Sequence, residues 1–175
     1  MYKRQVVDLI RSESGNLYTY ERLMPTVKKG SVVMLTSYNG KFLLLNQYRH
    51  ALRDYQYSFP RGFGTDGVGV EDNVRKELIE ETGGIVEDFI KLGTVVADSG
   101  LSGNKVSVYA CIVSGVSLQD QHEGIKEFIE VTQEEFGHMV IEGKITDGFS
   151  LAAYSLFCSM QGTIGEDGKK LRELL

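Results

Sequence analysis

Three glutamates, Glu77, Glu80 and Glu81, fall within five positions of the stretch "SFPRGFGTDGVGVEDNVRKELIEETGG", residues 58–84. From about Glu71 to Thr82 there is neither Gly nor Pro and helix formers abound, so a helix is expected, with Gly83 and Gly84 as its stop. Residues three and four apart share a helix face, which puts Glu80 and Glu81 within roughly 60° either side of Glu77. Such like-charged pairs cost an isolated helix about 0.2–0.5 kcal/mol each. The helix macrodipole also disfavours anions near this end. Something must compensate. Arg75, Lys76 and bulk solvent are the plain answer. A hard divalent cation is the other, because Mg²⁺ or Mn²⁺ takes carboxylate oxygens and leaves positions open for water and phosphate.

The elements that would position these carboxylates can be read around them. Arg61 to Gly69 is a glycine-rich, irregular loop running straight into the helix, and Val74 and Leu78 form an apolar stripe able to anchor it on a sheet. Residues 3–24 alternate around "SESGN" as two strands and a turn. "SVVMLTS" and "KFLLLNQYR" flank Tyr38-Asn39-Gly40, and Asn-Gly signals a tight hairpin because both residues tolerate positive φ. Further strands are expected at "IKLGTVVAD", "KVSVYACIV" and "EFIEVT". "TQEEFGHMVIEG" reads as a helix with Thr132 as N-cap and Glu135 completing a capping box. "TDGFSLAAYSLFCSM" is a second helix, with apolar spacing near 3.6. The polar tail from Gly162 is expected to fray. Strands early and helices later suggest an α/β fold, a mixed sheet covered by helices.

Composition narrows the function classes. The 175 residues fit one domain with a real core, 42% hydrophobic and 25% charged. A net charge of −5 with no basic stripe argues against nucleic acid as a partner. Cys111 and Cys158 each sit in an apolar run, so free thiols in a reducing compartment are expected. No apolar stretch is long enough to span a membrane, and "MYKRQVVDLIRSE" lacks the apolar core of a secretory leader. A cytoplasmic globular protein is expected.

At the acidic helix the residues resemble the Nudix box, G-x5-E-x7-R-E-U-x-E-E-x-G-U, where U is a bulky aliphatic. Gly62, Glu77, Leu78, Glu80, Glu81 and Gly83 fall in register with it. Val68 stands at the first glutamate, Lys76 at the arginine and Gly84 at the final aliphatic position. The resemblance extends to the ADP-ribose pyrophosphatase-like subgroup through "LLLNQYRHALRDYQYSFPRGF", "DSGLSGNKVSVYACIV" and "EFIEVTQEEFGHMVIEGKITDGFSLAAYSLF". Ser99 occupies the place of that subgroup's post-box proline, which leaves the substrate within the class open.

The resemblance implies a Nudix-type α/β/α sandwich with a mixed sheet over residues 25–162, an N-terminal β-hairpin extension over 1–24 and a polar tail over 163–175. It implies hydrolysis of the pyrophosphate bond of a nucleoside diphosphate linked to another moiety, with Mg²⁺ or Mn²⁺. Glu77 and Glu81 are then the first metal ligands, Glu80 assists, and a backbone carbonyl near Arg61 adds a ligand. The general base would come from "LQDQHEGIKEFIE", as Glu123 ahead of Glu127. Arg49, Arg53, Arg61 and Gly62 are candidate substrate contacts, the arginines by forking onto phosphate oxygens. Tyr48, Tyr55 and Tyr57 are candidates for stacking on adenine, with packing as the plainer reading. His50, His122 and His138 lack zinc-ligand spacing. A homodimer through the N-terminal strands is expected from the subgroup. Two other readings share the box: a sensor that binds such a nucleotide without cleaving it, and a nucleoside triphosphate pyrophosphohydrolase.

Overall fold

The computed structural model describes residues 3–25, 30–117 and 124–162. The first two strands, β1 (Lys3–Arg11) and β2 (Leu17–Pro25), pair antiparallel as a separate two-stranded sheet, from Lys3 opposite Pro25 to Arg11 opposite Leu17. Gly15 turns the chain between them with φ +89°.

Among the described residues the main sheet has seven strands. Its principal path runs β5 (Asp54–Ser58), β4 (Lys41–Arg49), β3 (Val32–Tyr38), β8 (Val106–Ser114) and β7 (Ile85–Val95). β3 and β8 are parallel and the other pairs antiparallel, so the sheet is mixed as expected. The Asn39-Gly40 turn takes positive φ at both residues, +52° and +72°. The hairpin it closes is shorter than the sequence suggests. Only Ser37–Phe42 and Tyr38–Lys41 pair across it. Beyond that point β6 (Arg61–Gly62) takes the edge of β3 at Val32 and Val33, and Met34 N–H donates to Pro60 O at 2.9 Å. β4 diverges and pairs with β9 (Ile125–Val131) instead. The sheet therefore forks, and β6 delivers Arg61 and Gly62 into the opening.

Helices cover both faces. α1 (Val70–Thr82) buries Val74 and Leu78 completely against Val32, Met34 and Leu43. Each such side chain contributes about 1.5–3 kcal/mol. Gly83 ends the helix in the left-handed conformation (φ +66°), its N–H bonded to Ile79 O, which only glycine does without strain. On the other face, α2 (Gln133–Ile141) and α3 (Gly148–Gln161) pack against Val33, Leu35, Phe42 and Leu44. Phe42 lies at the centre, edge-on to Phe59, Phe136 and Phe157 at 5.5–5.6 Å. The capping box of α2 forms as read, with Thr132 Oγ1 accepting the Glu135 N–H at 3.1 Å and Glu135 accepting the Thr132 N–H at 2.7 Å. The tail 163–175 lies outside the described residues. No helix among the described residues is long and apolar enough to cross a membrane.

Candidate active site

The fork in the sheet opens onto a cleft of about 660 Å³. α1 contributes Glu77, Glu80 and Glu81 to its lining, β6 and the loop after it contribute Arg61 to Thr65, and β4 contributes Arg49. The α1 face read from the sequence is therefore the face that meets the cleft.

Gly62 permits a close approach of the Glu77 carboxylate. A Cβ placed there would lie 1.9 Å from Glu77 Cδ and 2.1 Å from its Oε2. A side chain at position 62 would meet the flexible far end of Glu77 and turn its carboxylate away from the backbone. Glu81 is nearly buried, and its Oε2 accepts the Arg61 N–H at 2.9 Å. Glu80 is half exposed and faces Lys76 Nζ at 3.5 Å, so the lysine in the arginine position pairs with one of the glutamates it accompanies. Val68 is exposed and does not line the cleft. Asn73, fully buried on α1, donates to Gly30 O at 3.0 Å and to Phe63 O at 3.1 Å. It ties the loop to the helix that carries the carboxylates, a role with no sequence signal beyond a polar residue on an apolar face.

Among the described residues, no group of three or more His, Cys, Asp or Glu side chains is already arranged to hold a metal ion. Glu80 is drawn aside to Lys76 and Glu81 to the Arg61 N–H. The donor chemistry nevertheless fits a hard cation. The α1 donors lining the cleft are carboxylate oxygens, and the space at Gly62 admits that of Glu77 to the backbone of β6.

The candidate arginines separate. Arg49, which donates to Ser58 Oγ at 3.3 Å, and Arg61 line both the cleft and a neighbouring cavity of about 630 Å³. Arg61 Nη1 donates to Asp147 Oδ1 at 2.9 Å, and its guanidinium lies 5.4 Å from the centre of the Phe149 ring. Arg53 lines neither cavity. It closes a tight turn, φ +55°, with its N–H on Arg49 O, and is exposed.

Glu123 and His122 lie outside the described residues. Glu127 lies in β9, the strand expected at "EFIEVT". It lies opposite Asn46, whose Nδ2 donates to Glu127 Oε1 at 2.8 Å, and the Tyr57 hydroxyl reaches the same oxygen at 3.4 Å. It does not line the cleft. Burial, and then the charge of Glu127, pushes the Tyr57 phenol pKa up. Tyr48 and Tyr55 meet edge to face at 5.5 Å, so both pack on one another. His138 lies 3.9 Å from Glu134, away from the cleft, while His50 lines the neighbouring cavity.

Sequence reasoning missed two further contributions, the second of which depends on distant contacts. Asp98 lines the cleft, its Oδ1 accepting the N–H groups of Gly100 and Leu101 at 2.9 and 3.1 Å. The N-terminal hairpin braces this loop. Leu23, itself in the cleft wall, donates its N–H to Leu101 O at 2.8 Å, and the Tyr20 hydroxyl bonds Gly100 O.

Comparison with known proteins bears on the same residues. An ADP-sugar pyrophosphatase of Mus musculus is 30% identical over 111 residues, which is 58% of this chain and 51% of that protein. The chain thus matches about half the length of that relative. A crystal structure described as an ADP compounds hydrolase superposes with a TM-score of 0.79 over 92% of each chain at 16% identity, which speaks to the fold alone. The sequence profile of the NUDIX domain matches residues 27–144, from the strand before the fork through α1 and β9 to the end of α2. With more than half its length matched, and with Gly62 and the three α1 glutamates meeting in one cleft, the chain belongs to the NUDIX domain family.

Proposed function

We propose that the protein hydrolyses the pyrophosphate bond of a nucleoside diphosphate linked to another moiety, of the ADP-ribose or ADP-sugar type, releasing AMP and a sugar phosphate. The observation that carries this reading is the contact of Glu77 with Gly62 in a cleft shared with Glu80, Glu81, Arg49 and Arg61. That cleft offers anionic oxygens on one wall and two guanidinium groups on another, as a diphosphate bridged by cations requires. The name of the Mus musculus relative supports the substrate class.

Glu77 and Glu81 would hold Mg²⁺ or Mn²⁺, with Glu80 joining on leaving Lys76, and the ion supplies charge neutralisation at phosphate oxygens and a more acidic water. Arg49 and Arg61 orient the diphosphate so that water attacks one phosphorus as the bridging P–O bond breaks. The proton leaving the water goes to a base outside α1. Glu123 is proposed for it, since Glu127 is occupied by Asn46 and Tyr57. Arg53, in its exposed turn, is not given a substrate role.

Residues 25–162 are proposed as the hydrolase unit and 1–24 as a dimerisation element. Val7, Leu9 and Leu17 are exposed on one face of the β1–β2 hairpin, an apolar face that packing against a second copy would cover. Work in the cytoplasm is proposed from the free thiols of Cys111 and Cys158. Incubation with Mg²⁺ and a panel of ADP-ribose, ADP-sugars, NADH, dinucleoside polyphosphates and dNTPs tests the substrate. AMP from ADP-ribose or an ADP-sugar is the expected product. Cleavage confined to dNTPs favours a triphosphate pyrophosphohydrolase. Tight binding without turnover favours a sensor, the reading that Val68 and the Lys76–Glu80 pair support.

A further inference from the structure

The hydrogen bonds at the start of α3 form a chain that ends in the cleft. The Phe59 N–H donates to Ser150 Oγ at 2.9 Å, and the Ser150 hydroxyl donates to Asp147 Oδ2 at 2.8 Å. The same Oδ2 caps α3 by accepting the Ser150 N–H at 3.0 Å. The other oxygen, Oδ1, accepts from Arg61 Nη1 at 2.9 Å. Asp147 is 5% exposed and Ser150 fully buried, whereas the Arg61 side chain is 26% exposed. A rigid, buried carboxylate thus grips a partly open guanidinium, and solvent screens that bond less than a surface pair.

Capping alone does not call for a charge at this position. Asparagine or serine caps a helix about as well as aspartate. Here one oxygen suffices for the cap, and the second faces Arg61. Arginine has a long stem with about 2 kcal/mol of rotamer entropy, so holding its fork in advance lowers what a ligand must spend on ordering it. The fork is held where it matters, on the wall between the carboxylate cleft and the neighbouring cavity. The Arg61 backbone is pinned as well, by Glu81.

We propose that Asp147 is a positioning residue that holds Arg61 through Nη1, so that the remaining guanidinium N–H donors meet a diphosphate oxygen and set the affinity for it. The proposal rests on the diphosphate reading given above. It assigns Asp147, on the last helix, to ligand recognition without any contact of its own with the ligand.

The test uses the full chain and the non-cleavable analogue α,β-methylene-ADP-ribose with Mg²⁺, measured by calorimetry. Asp147→Asn keeps the cap and the volume, so its melting temperature stays close to wild type while affinity falls about tenfold, the effect of losing a hydrogen bond between charged groups. Arg61→Ala weakens binding at least as much, and adding Asp147→Asn to it causes no further loss. Additive losses in the double variant, or unchanged affinity in Asp147→Asn, overturn the proposal. Guanidinium ¹⁵N NMR supplies a readout independent of any ligand. Rotation of the Arg61 Nη groups is slow in wild type and fast in Asp147→Asn, and equal rotation in both also overturns it. A wild-type protein that neither binds the analogue nor cleaves ADP-ribose sinks the substrate reading and the affinity role with it. The NMR comparison then decides separately whether Asp147 holds Arg61.

Discussion

The Arg61 N–H donates to Glu81 Oε2 across 2.9 Å, joining two segments twenty residues apart in sequence at the mouth of one cleft. The bond satisfies a backbone donor at the fork of the sheet and holds a nearly buried carboxylate in a defined place. Replacing Glu81 by glutamine separates these two roles, because the amide oxygen still accepts the Arg61 N–H while the charge is gone. Glu81→Gln is expected to lower kcat about a hundredfold or more, with circular dichroism and melting temperature close to wild type. Wild-type turnover in this variant sinks the ligand assignment.

Gly62→Ala places a methyl group where Glu77 Cδ lies 1.9 Å away. The clash falls on the far end of the flexible Glu77 side chain, so Glu77 swings out and stability changes little. The expected outcome is weaker binding of Mn²⁺ in a titration followed by electron paramagnetic resonance, together with lower turnover. Unaltered Mn²⁺ affinity removes Glu77 from the ligand set.

Phe42 is fully buried among Phe59, Phe136 and Phe157 and carries no polar group. Phe42→Ala is expected to lose about 3–5 kcal/mol in urea unfolding, since truncation leaves a cavity that three edge-on rings cannot all fill. A loss under about 1 kcal/mol means that the cluster collapses more readily than close packing allows.

Alkali is expected to weaken the fold through Cys111. Burial, opposed by Arg75 and reinforced by Asp88, pushes its thiol well above the ordinary value of 9.0. A group whose folded pKa is raised keeps its proton longer in the native state. Its contribution is therefore complete below pH 9.0 and falls as the pH climbs toward the folded value. Urea midpoints should decline above pH 9.0 in wild type and decline less in Cys111→Ala. Parallel declines in the two proteins assign the alkaline loss to other groups, Tyr57 among them.

Local features were legible in the sequence where a short-range rule governs them. Thr132 and Glu135 cap α2, Gly83 stops α1 and Asn39-Gly40 turns the chain, each through contacts within four residues. The spacing of Glu77, Glu80 and Glu81 gave the face that meets the cleft. What escaped depends on partners far along the chain. β4 leaves β3 after two pairs because β6 and β9 compete for the edges. Glu127 falls in the strand expected at "EFIEVT", yet nothing nearby tells that Asn46, 81 residues away, holds its carboxylate. Nothing near Asp147 in the sequence tells that its carboxylate both caps α3 and meets Arg61, 86 residues before it. Arg53 is a candidate four positions from Arg49, yet the chain reverses between them and Arg53 lines neither cavity.

The leading hairpin is not mere packaging around a finished cleft. Leu23 forms part of the chamber wall, and its amide grips Leu101 across a seam that Tyr20 also stitches to Gly100. Cutting away the first two strands would leave the chamber breached on that flank, so residues 27–144, the stretch matching the family, do not enclose it by themselves.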